Sequence, residues 1–205
     1  EAWQAPVFYL SVDIDMTEVT ALRAQLVGAM QEGDVKPTVS DILTKACAVA
    51  LRRNEDVNSH WAGDAIIRYR DVHIGMAVAT DNGLVVPVIR NAHSKTVREI
   101  ASDRKQIVDK ARAGKLQPAD MDGGTFSISN LGMMGIDEFA AVLNPPQAAI
   151  LAIGQTKDTP VAVNRKVEIR PMMTVTGTFD HRAVDGAVGT RFLQTLKEHL
   201  ENPLT

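Results

Sequence analysis

The chain has 205 residues, of which 45% are hydrophobic and 23% are charged, so it is long and apolar enough to bury a core. Its 22 basic and 25 acidic residues give a formal net charge of −3, which excludes the strongly basic surface that nucleic-acid binding requires. No apolar run approaches the roughly 18 residues of a membrane span. The single cysteine, Cys47, excludes an internal disulfide and favours a reducing compartment such as the cytoplasm.

The first half of the sequence alternates predicted strands and helices. Strand-like patterns cover residues 7–15, 65–69, 72–80 and 84–89. Asp81-Asn82-Gly83 predicts a hairpin turn before the last of these, because Asn-Gly tolerates positive φ. Three helices are predicted to begin at capping pairs, which are Asp15-x-x-Glu18, Thr38-x-x-Asp41 and Thr96-x-x-Glu99.

The second half is rich in predicted strands, at residues 125–129, 148–154 and 171–179. A hairpin is predicted around Asn164-Arg165, and a closing helix from near Val184 to a point before Pro203. The hairpins are local and the helices are few. The sequence therefore predicts one α/β domain with a mixed, partly antiparallel sheet rather than a doubly wound parallel one.

The densest group of reactive side chains is Asp180-His181-Arg182-Ala183-Val184-Asp185-Gly186. It joins an apolar predicted strand to the closing helix, and such junctions often carry reactive side chains in α/β proteins. His181 with Asp185 four residues later is therefore a candidate catalytic pair. The alternative is structural, with Asp185 capping the helix and His181 hydrogen-bonded into the turn.

A second candidate is the segment from Gly123 to Gly132, whose alternation places Thr125, Ser127 and Ser129 on one face of a strand. The pattern breaks at Asn130, which predicts that Ser129 lies exposed at the strand end. The alternative is an ordinary edge strand that ends in a glycine turn.

Other single residues predict no further site. Cys47 lies on an apolar helix stripe with Leu43 and Leu51, so it is interpreted as a small buried hydrophobe. The remaining histidines lack neighbours at metal-ligand spacing, so no metal site is expected. The glycines match no phosphate-binding pattern, so the sequence gives no support for the binding of ATP or NAD.

Segments along the whole chain resemble those of the dihydrolipoamide acyltransferases, the core components of 2-oxo acid dehydrogenase complexes. The C-terminal one is Asp180-His181-Arg182-x-x-Asp185-Gly186-Ala187. The others are Phe8-Tyr9-Leu10 with Val12-Asp13, the run from Asp81 to Arg90, the run from Ser127 to Met133, and Asn144-Pro145-Pro146-Gln147-Ala148. One departure is Pro6-Val7-Phe8, where the family often has Pro-His-Phe.

The resemblance implies a chloramphenicol-acetyltransferase-like two-layer sandwich that forms homotrimers and assembles them into a larger core. It also implies an active site in a channel between two subunits, which coenzyme A enters from one mouth and a lipoyl arm from the other. The run from Asn130 to Ile136 resembles the pyruvate-type members, so the expected acyl group is acetyl. A succinyl or branched-chain acyl group, or a scaffold without catalysis, remains an alternative.

The resemblance also implies roles for individual residues. His181 stands where the family has its catalytic base, Asp185 where it has Asp or Asn, and Ser129 where a hydroxyl stabilises the tetrahedral oxyanion. Contacts to coenzyme A are expected from Asn130, Phe179 and Arg182.

Residues 1–205 are expected to form the catalytic domain of a longer protein, because the chain does not begin with Met and shows no signal peptide. Lipoyl and subunit-binding domains are expected upstream. Through them the protein would meet the decarboxylase and dihydrolipoamide dehydrogenase components. In a eukaryote, the resemblance implies the mitochondrial matrix.

Overall fold

A computed structural model describes residues 4–81 and 83–203. Its strands are β1 (Val7–Asp15), β2 (Ser59–Trp61), β3 (Ile66–Arg68), β4 (Ile74–Met76), β5 (Val78–Thr80), β6 (Gly83–Val85), β7 (Val88–Ile89), β8 (Phe126–Asn130), β9 (Ala149–Val163) and β10 (Lys166–Asp180). Its helices are α1 (Thr17–Gly28), α2 (Val39–Arg53), α3 (Val97–Arg112), α4 (Pro118–Met121) and α5 (Gly186–Glu201).

Six strands form one sheet in the order β1-β10-β9-β8-β4-β7. The pairs β1–β10, β10–β9 and β4–β7 are antiparallel, whereas β8 pairs in parallel with both β9 and β4. The predicted α/β fold with a mixed, partly antiparallel sheet is therefore confirmed. Strands β2 and β3 form a separate two-stranded sheet, as do β5 and β6.

The core lies between the sheet and a layer of helices. On β8, Phe126 and Ile128 are buried in it, while Ser127 and Ser129 alternate onto the opposite face of the sheet. Helix α5 buries Phe192 against Phe126, with 5.6 Å between ring centroids. None of the helices within residues 4–81 and 83–203 has both the length and the apolar character needed to cross a membrane.

The opposite face of the sheet is partly covered by the irregular chain that leads from β8 to β9. Thr178 Oγ1 donates a hydrogen bond to the carbonyl oxygen of Ala141 (2.7 Å), and Ser11 Oγ donates to a carboxylate oxygen of Glu138 (2.7 Å). Glycine at position 154 of β9 lets this segment pass close to the sheet, because a Cβ there would lie 1.9 Å from the carbonyl oxygen of Asp137. These contacts hold residues 137–141 against β1, β9 and β10.

Several local predictions are confirmed. Strand β1 has the predicted bounds, and Thr38 and Thr96 each form a reciprocal capping box with the acid three residues later. The hairpin between β9 and β10 turns at Asn164 and Arg165, which have positive φ values of 50° and 64°. Cys47 is fully buried, and burial raises the pKa of its thiol well above the ordinary range.

Other local predictions are wrong. Helix α1 has no capping box, because the Asp15 carboxylate accepts hydrogen bonds from the backbone and hydroxyl of Thr17 instead. The strand predicted over residues 72–80 divides at Ala77, whose N–H donates to Ile128. The strand predicted over residues 84–89 divides near Pro87, which has no N–H to donate.

The remaining differences concern lengths and missed elements. Strands β9 and β10 extend well beyond the predicted bounds as a two-stranded ribbon, and β2 and α4 were not predicted. Strands β5 and β6 pair antiparallel around the predicted hairpin turn, although Asn82 of that turn lies outside the described residues.

Candidate active site

His181 is the first residue beyond β10, at the point where the chain turns toward α5. Its backbone N–H donates to the carbonyl oxygen of Pro6 (2.9 Å), and its imidazole lies 5.0 Å from the ring of Phe8, centroid to centroid. Phe8 in turn stacks on the buried Phe179 at 5.3 Å. The imidazole therefore packs against the ring of Phe8. Because the histidine is exposed, the imidazole also remains accessible to a reacting molecule.

Asp185 is the N-cap residue of α5. Its carboxylate Oδ1 accepts a hydrogen bond from the backbone N–H of Val188 (2.8 Å), and no salt bridge among the described residues involves it. Helix capping, the structural alternative for Asp185, is therefore confirmed. Because the carboxylate is exposed, capping leaves its second oxygen accessible.

Replacement of Asp185 separates capping from charge. Asp185→Ala should lower the free energy of unfolding by about 1 kcal/mol, whereas Asp185→Asn should nearly preserve it, because Asn and Asp cap helices equally well. Denaturant-induced unfolding measures both values. Equal losses in the two variants would show that the carboxylate charge, rather than an oxygen that accepts from Val188, stabilises the start of α5.

Ser129 lies near the end of β8, half-buried on the sheet face that points away from the helices. The other two hydroxyls predicted on this face are engaged. Thr125 Oγ1 bonds to the backbone of His73, and Ser127 Oγ donates to Gln147 Oε1 at 2.6 Å. Among the described residues the Ser129 side chain makes no hydrogen bond, so its hydroxyl is free to act on a ligand.

Asn130 anchors the end of this strand. Its Nδ2 donates to Ser40 Oγ (3.0 Å), and its Oδ1 accepts from the backbone N–H of Gly132 (2.9 Å). A Cβ at Gly132 would lie 2.4 Å from the carbonyl oxygen of Gly154, so the turn after β8 requires glycine. Both functional groups of the Asn130 amide thus hold the strand end that carries Ser129.

Within one chain the structure does not bring Ser129 and His181 together. Ser129 pairs with Ala152 of β9, whereas Phe179, two residues before His181, pairs with Ala149. This difference of three residues corresponds to roughly 10 Å along the strands, and β9 lies between the two positions. A molecule that meets both side chains must therefore span the sheet or lie between two chains.

The side chain of Phe179, which was expected to contact coenzyme A, faces the core. Its side chain is fully buried, and it packs between Phe8 and Phe192 in the core. The period-two pattern of β10 points this side chain inward, so the motif's position beside His181 misled the prediction. Phe8, which does contact the His181 imidazole, was missed because it comes from a strand 173 residues earlier in the chain.

Arg182 forms a two-point salt bridge with Asp180. Its Nε and Nη2 donate to the carboxylate, the shortest bond being 2.6 Å, and these bonds raise the pKa of the guanidinium. The guanidinium also lies 4.9 Å above the ring of Trp61. Arg182 is therefore occupied by protein partners, although Trp61, Asp180 and Arg182 also line a cavity of about 440 Å³ beside the histidine.

Within residues 4–81 and 83–203, no group of three or more His, Cys, Asp or Glu side chains is arranged to hold a metal ion. The side chains with reactive groups that the structure leaves accessible in this region are the His181 imidazole, the Ser129 hydroxyl and the Asp185 carboxylate. This set suits proton transfer to and from a nucleophile, with a hydroxyl donor for a developing negative charge.

Residues 1–205 match the family model described as 2-oxoacid dehydrogenases acyltransferase (catalytic domain). A relative from Schizosaccharomyces pombe, the mitochondrial dihydrolipoyllysine-residue acetyltransferase component of pyruvate dehydrogenase complex, is 47% identical over 97% of this chain and 42% of its own length. The corresponding component from Rhizobium meliloti is 42% identical over 97% of this chain and 45% of its own length. The chain thus spans less than half of these relatives.

Solved structures show the same fold. The cubic core of a pyruvate dehydrogenase multienzyme complex is 36% identical, with a TM-score of 0.95 over 98% of this chain and 84% of that one. A structure of Azotobacter vinelandii dihydrolipoamide acetyltransferase, in which a serine, a histidine and an asparagine were investigated for their role in catalysis, aligns equally well. Chloramphenicol acetyltransferase, 14% identical, aligns with a TM-score of 0.59 over 96% of this chain and 89% of that one, which confirms the predicted fold class.

Proposed function

Because the chain belongs to the family of 2-oxoacid dehydrogenase acyltransferase catalytic domains, we propose that it transfers an acyl group from a dihydrolipoyl thioester to coenzyme A. The observation that carries the proposal is the exposed His181 imidazole, held against Phe8 at the end of β10. A thiol with a pKa near 8.5 is mostly protonated at neutral pH, so a thiol nucleophile gains from a positioned base.

The reaction follows from the two side chains. The His181 imidazole takes the proton of the coenzyme A thiol, and the sulfur attacks the carbonyl carbon of the acyl-dihydrolipoyl thioester. The Ser129 hydroxyl donates to the oxyanion of the tetrahedral intermediate. Collapse breaks the bond from carbon to the lipoyl sulfur, and the imidazolium returns its proton to the departing thiolate. The products are acyl-coenzyme A and dihydrolipoyl.

The Azotobacter vinelandii relative supports this choice of residues. The serine, histidine and asparagine investigated in that protein are separated by the same numbers of positions as Ser129, His181 and Asp185 are here. Its asparagine corresponds to an aspartate in this chain. A capping role suits both residue types, since each offers an oxygen to the N-terminus of the helix.

We propose that the complete site lies between two copies of the chain, because Ser129 and His181 are too far apart within one. A relative aligned over 98% of this chain is part of a cubic core, which supports a homotrimer that assembles further. A channel between subunits would also exclude water, and this protects a thioester from hydrolysis.

Mixing two inactive variants tests the shared site. Chains with His181→Ala and chains with Ser129→Ala are dissociated, mixed in equal amounts and reassembled. Random mixing should give about a quarter of the interfaces an intact His181 and an intact Ser129, so turnover should recover to about that fraction. Light scattering confirms particle size. If mixed particles are no more active than the parent variants, the site is contained within one chain.

The acyl group is tested by an assay of coenzyme A-dependent turnover with acetyl-, succinyl- and branched-chain acyl-dihydrolipoamide. We expect the highest kcat/KM with acetyl, the group named for relatives at 47% and 42% identity. A preference for succinyl or a branched-chain acyl group would assign the chain to the members of the family that transfer that group. No turnover with any of the three, by particles of full size, would favour the scaffold alternative.

The remaining proposals concern the rest of the protein. The relatives are more than twice as long as the matched region, so we propose that residues 1–205 are the catalytic domain of a protein with lipoyl and subunit-binding domains upstream. Those domains would bring the decarboxylase and dihydrolipoamide dehydrogenase components. The place of action would be the bacterial cytoplasm, or the mitochondrial matrix if the source is eukaryotic.

A further inference from the structure

The two residues that flank His181 are bonded to each other. The Asp180 carboxylate accepts from Nε of Arg182 at 2.9 and 3.2 Å, from Nη2 at 2.6 Å and from the Arg182 backbone N–H at 3.0 Å. The backbone N–H groups of Ala183 and Val184 donate to the Asp180 carbonyl oxygen. His181 thus lies in a short turn that is held by hydrogen bonds to both the side chain and the carbonyl oxygen of Asp180.

The salt bridge is anchored to the sheet at one end and to Trp61 at the other. Asp180 is 2% exposed, and its backbone N–H donates to the carbonyl oxygen of Ala148 (2.8 Å). The Arg182 guanidinium lies on the indole of Trp61, and the Trp61 backbone donates to Pro146 (3.0 Å). Two segments that are distant in sequence therefore hold the turn in place.

Neither charged group is free to serve the reaction directly. The Asp180 carboxylate is hydrogen-bonded to Arg182, so it is not a partner for the His181 imidazole. Arg182 directs Nε and Nη2 at Asp180 and one face at Trp61, which differs from the coenzyme A contact expected of it. A buried carboxylate without its partner would be costly, so this pairing strongly constrains the turn.

We propose that Asp180, Arg182 and Trp61 form a positioning clamp that orients His181 so that its imidazole stands against Phe8. The inference rests on the proposed function, in which His181 is the base. Within this clamp the planar fork of Arg182 contributes in addition to its charge, because only a guanidinium can meet both carboxylate oxygens while stacking on an indole. The three are positioning residues and act on the reaction through His181.

The test compares Arg182→Lys and Arg182→Gln in the assembled protein. Lysine keeps the charge and loses the fork, so kcat should fall about 10-fold, whereas glutamine loses both and should lower kcat about 100-fold. KM for coenzyme A should change less than about twofold, because substrate contacts remain. Trp61→Phe should retain more activity than Trp61→Leu, since phenylalanine keeps an aromatic face under the guanidinium.

Arg170→Lys is the matched control. Arg170 bonds to Asp15 at the opposite end of the same strand pair, β1 and β10. This substitution should leave kcat within about twofold of the wild-type value. Thermal unfolding of every variant identifies losses of activity that come from misfolding.

A crystal structure of Arg182→Gln provides a readout that does not depend on activity. The ring-centroid distance between Phe8 and His181, 5.0 Å in the wild-type chain, should lengthen. An unchanged imidazole position with unchanged kcat would overturn the clamp, and so would a large rise in KM with kcat preserved, which would make Arg182 a coenzyme A ligand. Absence of turnover in the wild-type protein would instead overturn the proposed function, while the crystal structure would still test the clamp.

Discussion

His181→Ala should lower kcat by about 10² to 10⁴ while leaving the fold and the affinity for coenzyme A nearly unchanged. The imidazole is exposed, so its removal leaves no buried cavity. Its backbone N–H still donates to Pro6 in the variant, because that bond does not involve the side chain. The measurement is steady-state turnover with acetyl-dihydrolipoamide, together with binding of coenzyme A by calorimetry.

His199→Gln is a control for loss of a histidine elsewhere in the same region of sequence. His199 lies in the last turn of α5, 13 residues from Gly186 at the start of that helix. This places it about 20 Å from the catalytic turn. The control should keep kcat within about twofold. If His181→Ala retained more than a tenth of the wild-type activity, His181 would not be the base.

Ser129→Ala should lower kcat by about 10² to 10³ with little change in KM, because the hydroxyl acts on a charge that exists only in the transition state. Its side chain makes no hydrogen bond among the described residues, so the substitution leaves no protein partner unpaired and should cost little stability. Steady-state kinetics over a range of both substrates separates kcat from KM.

Ser127→Ala is the matched comparison for Ser129→Ala, because Ser127 lies two residues earlier on the same face of β8. Its hydroxyl donates to Gln147 and accepts from Asn144. Removal would leave both amides without this partner and should lower the free energy of unfolding by about 1–3 kcal/mol.

A rise in KM at constant kcat for Ser129→Ala would instead make Ser129 a ground-state binding residue.

The local features of the fold were predictable because they depend on residues that are close in sequence. The capping boxes at Thr38 and Thr96 each join a side chain to a backbone three residues away. The turn at Asn164 and Arg165 depends on the tolerance of the backbone for positive φ. The two-residue alternation of β1 likewise follows from its own side chains.

The errors have equally specific causes. The predicted cap at Glu18 failed because Thr17 offered the Asp15 carboxylate two nearer donors. The strand over residues 72–80 divided because β4 pairs with β7 and β8 whereas β5 pairs with β6 in a separate sheet, and the alternation of its own residues does not reveal these partners. Phe179 was placed in the site by its position beside the motif, whereas its side chain faces the core.

By itself, the sequence determined the fold class, the family resemblance and the candidate residues His181, Asp185 and Ser129, because these depend on composition, short-range patterns and motif order. Only the tertiary structure decided which groups surround the imidazole. The ring of Phe8 meets it because β1 pairs with β10 in a register that sets Val7 opposite Asp180.

The structure also separated the two catalytic candidates and assigned Arg182 to Asp180 and Trp61. Strand order and register set these distances, and both are chosen by how the whole apolar set packs into one core. A local pattern specifies which face a side chain takes, but it carries no information about the distant residue that will face it.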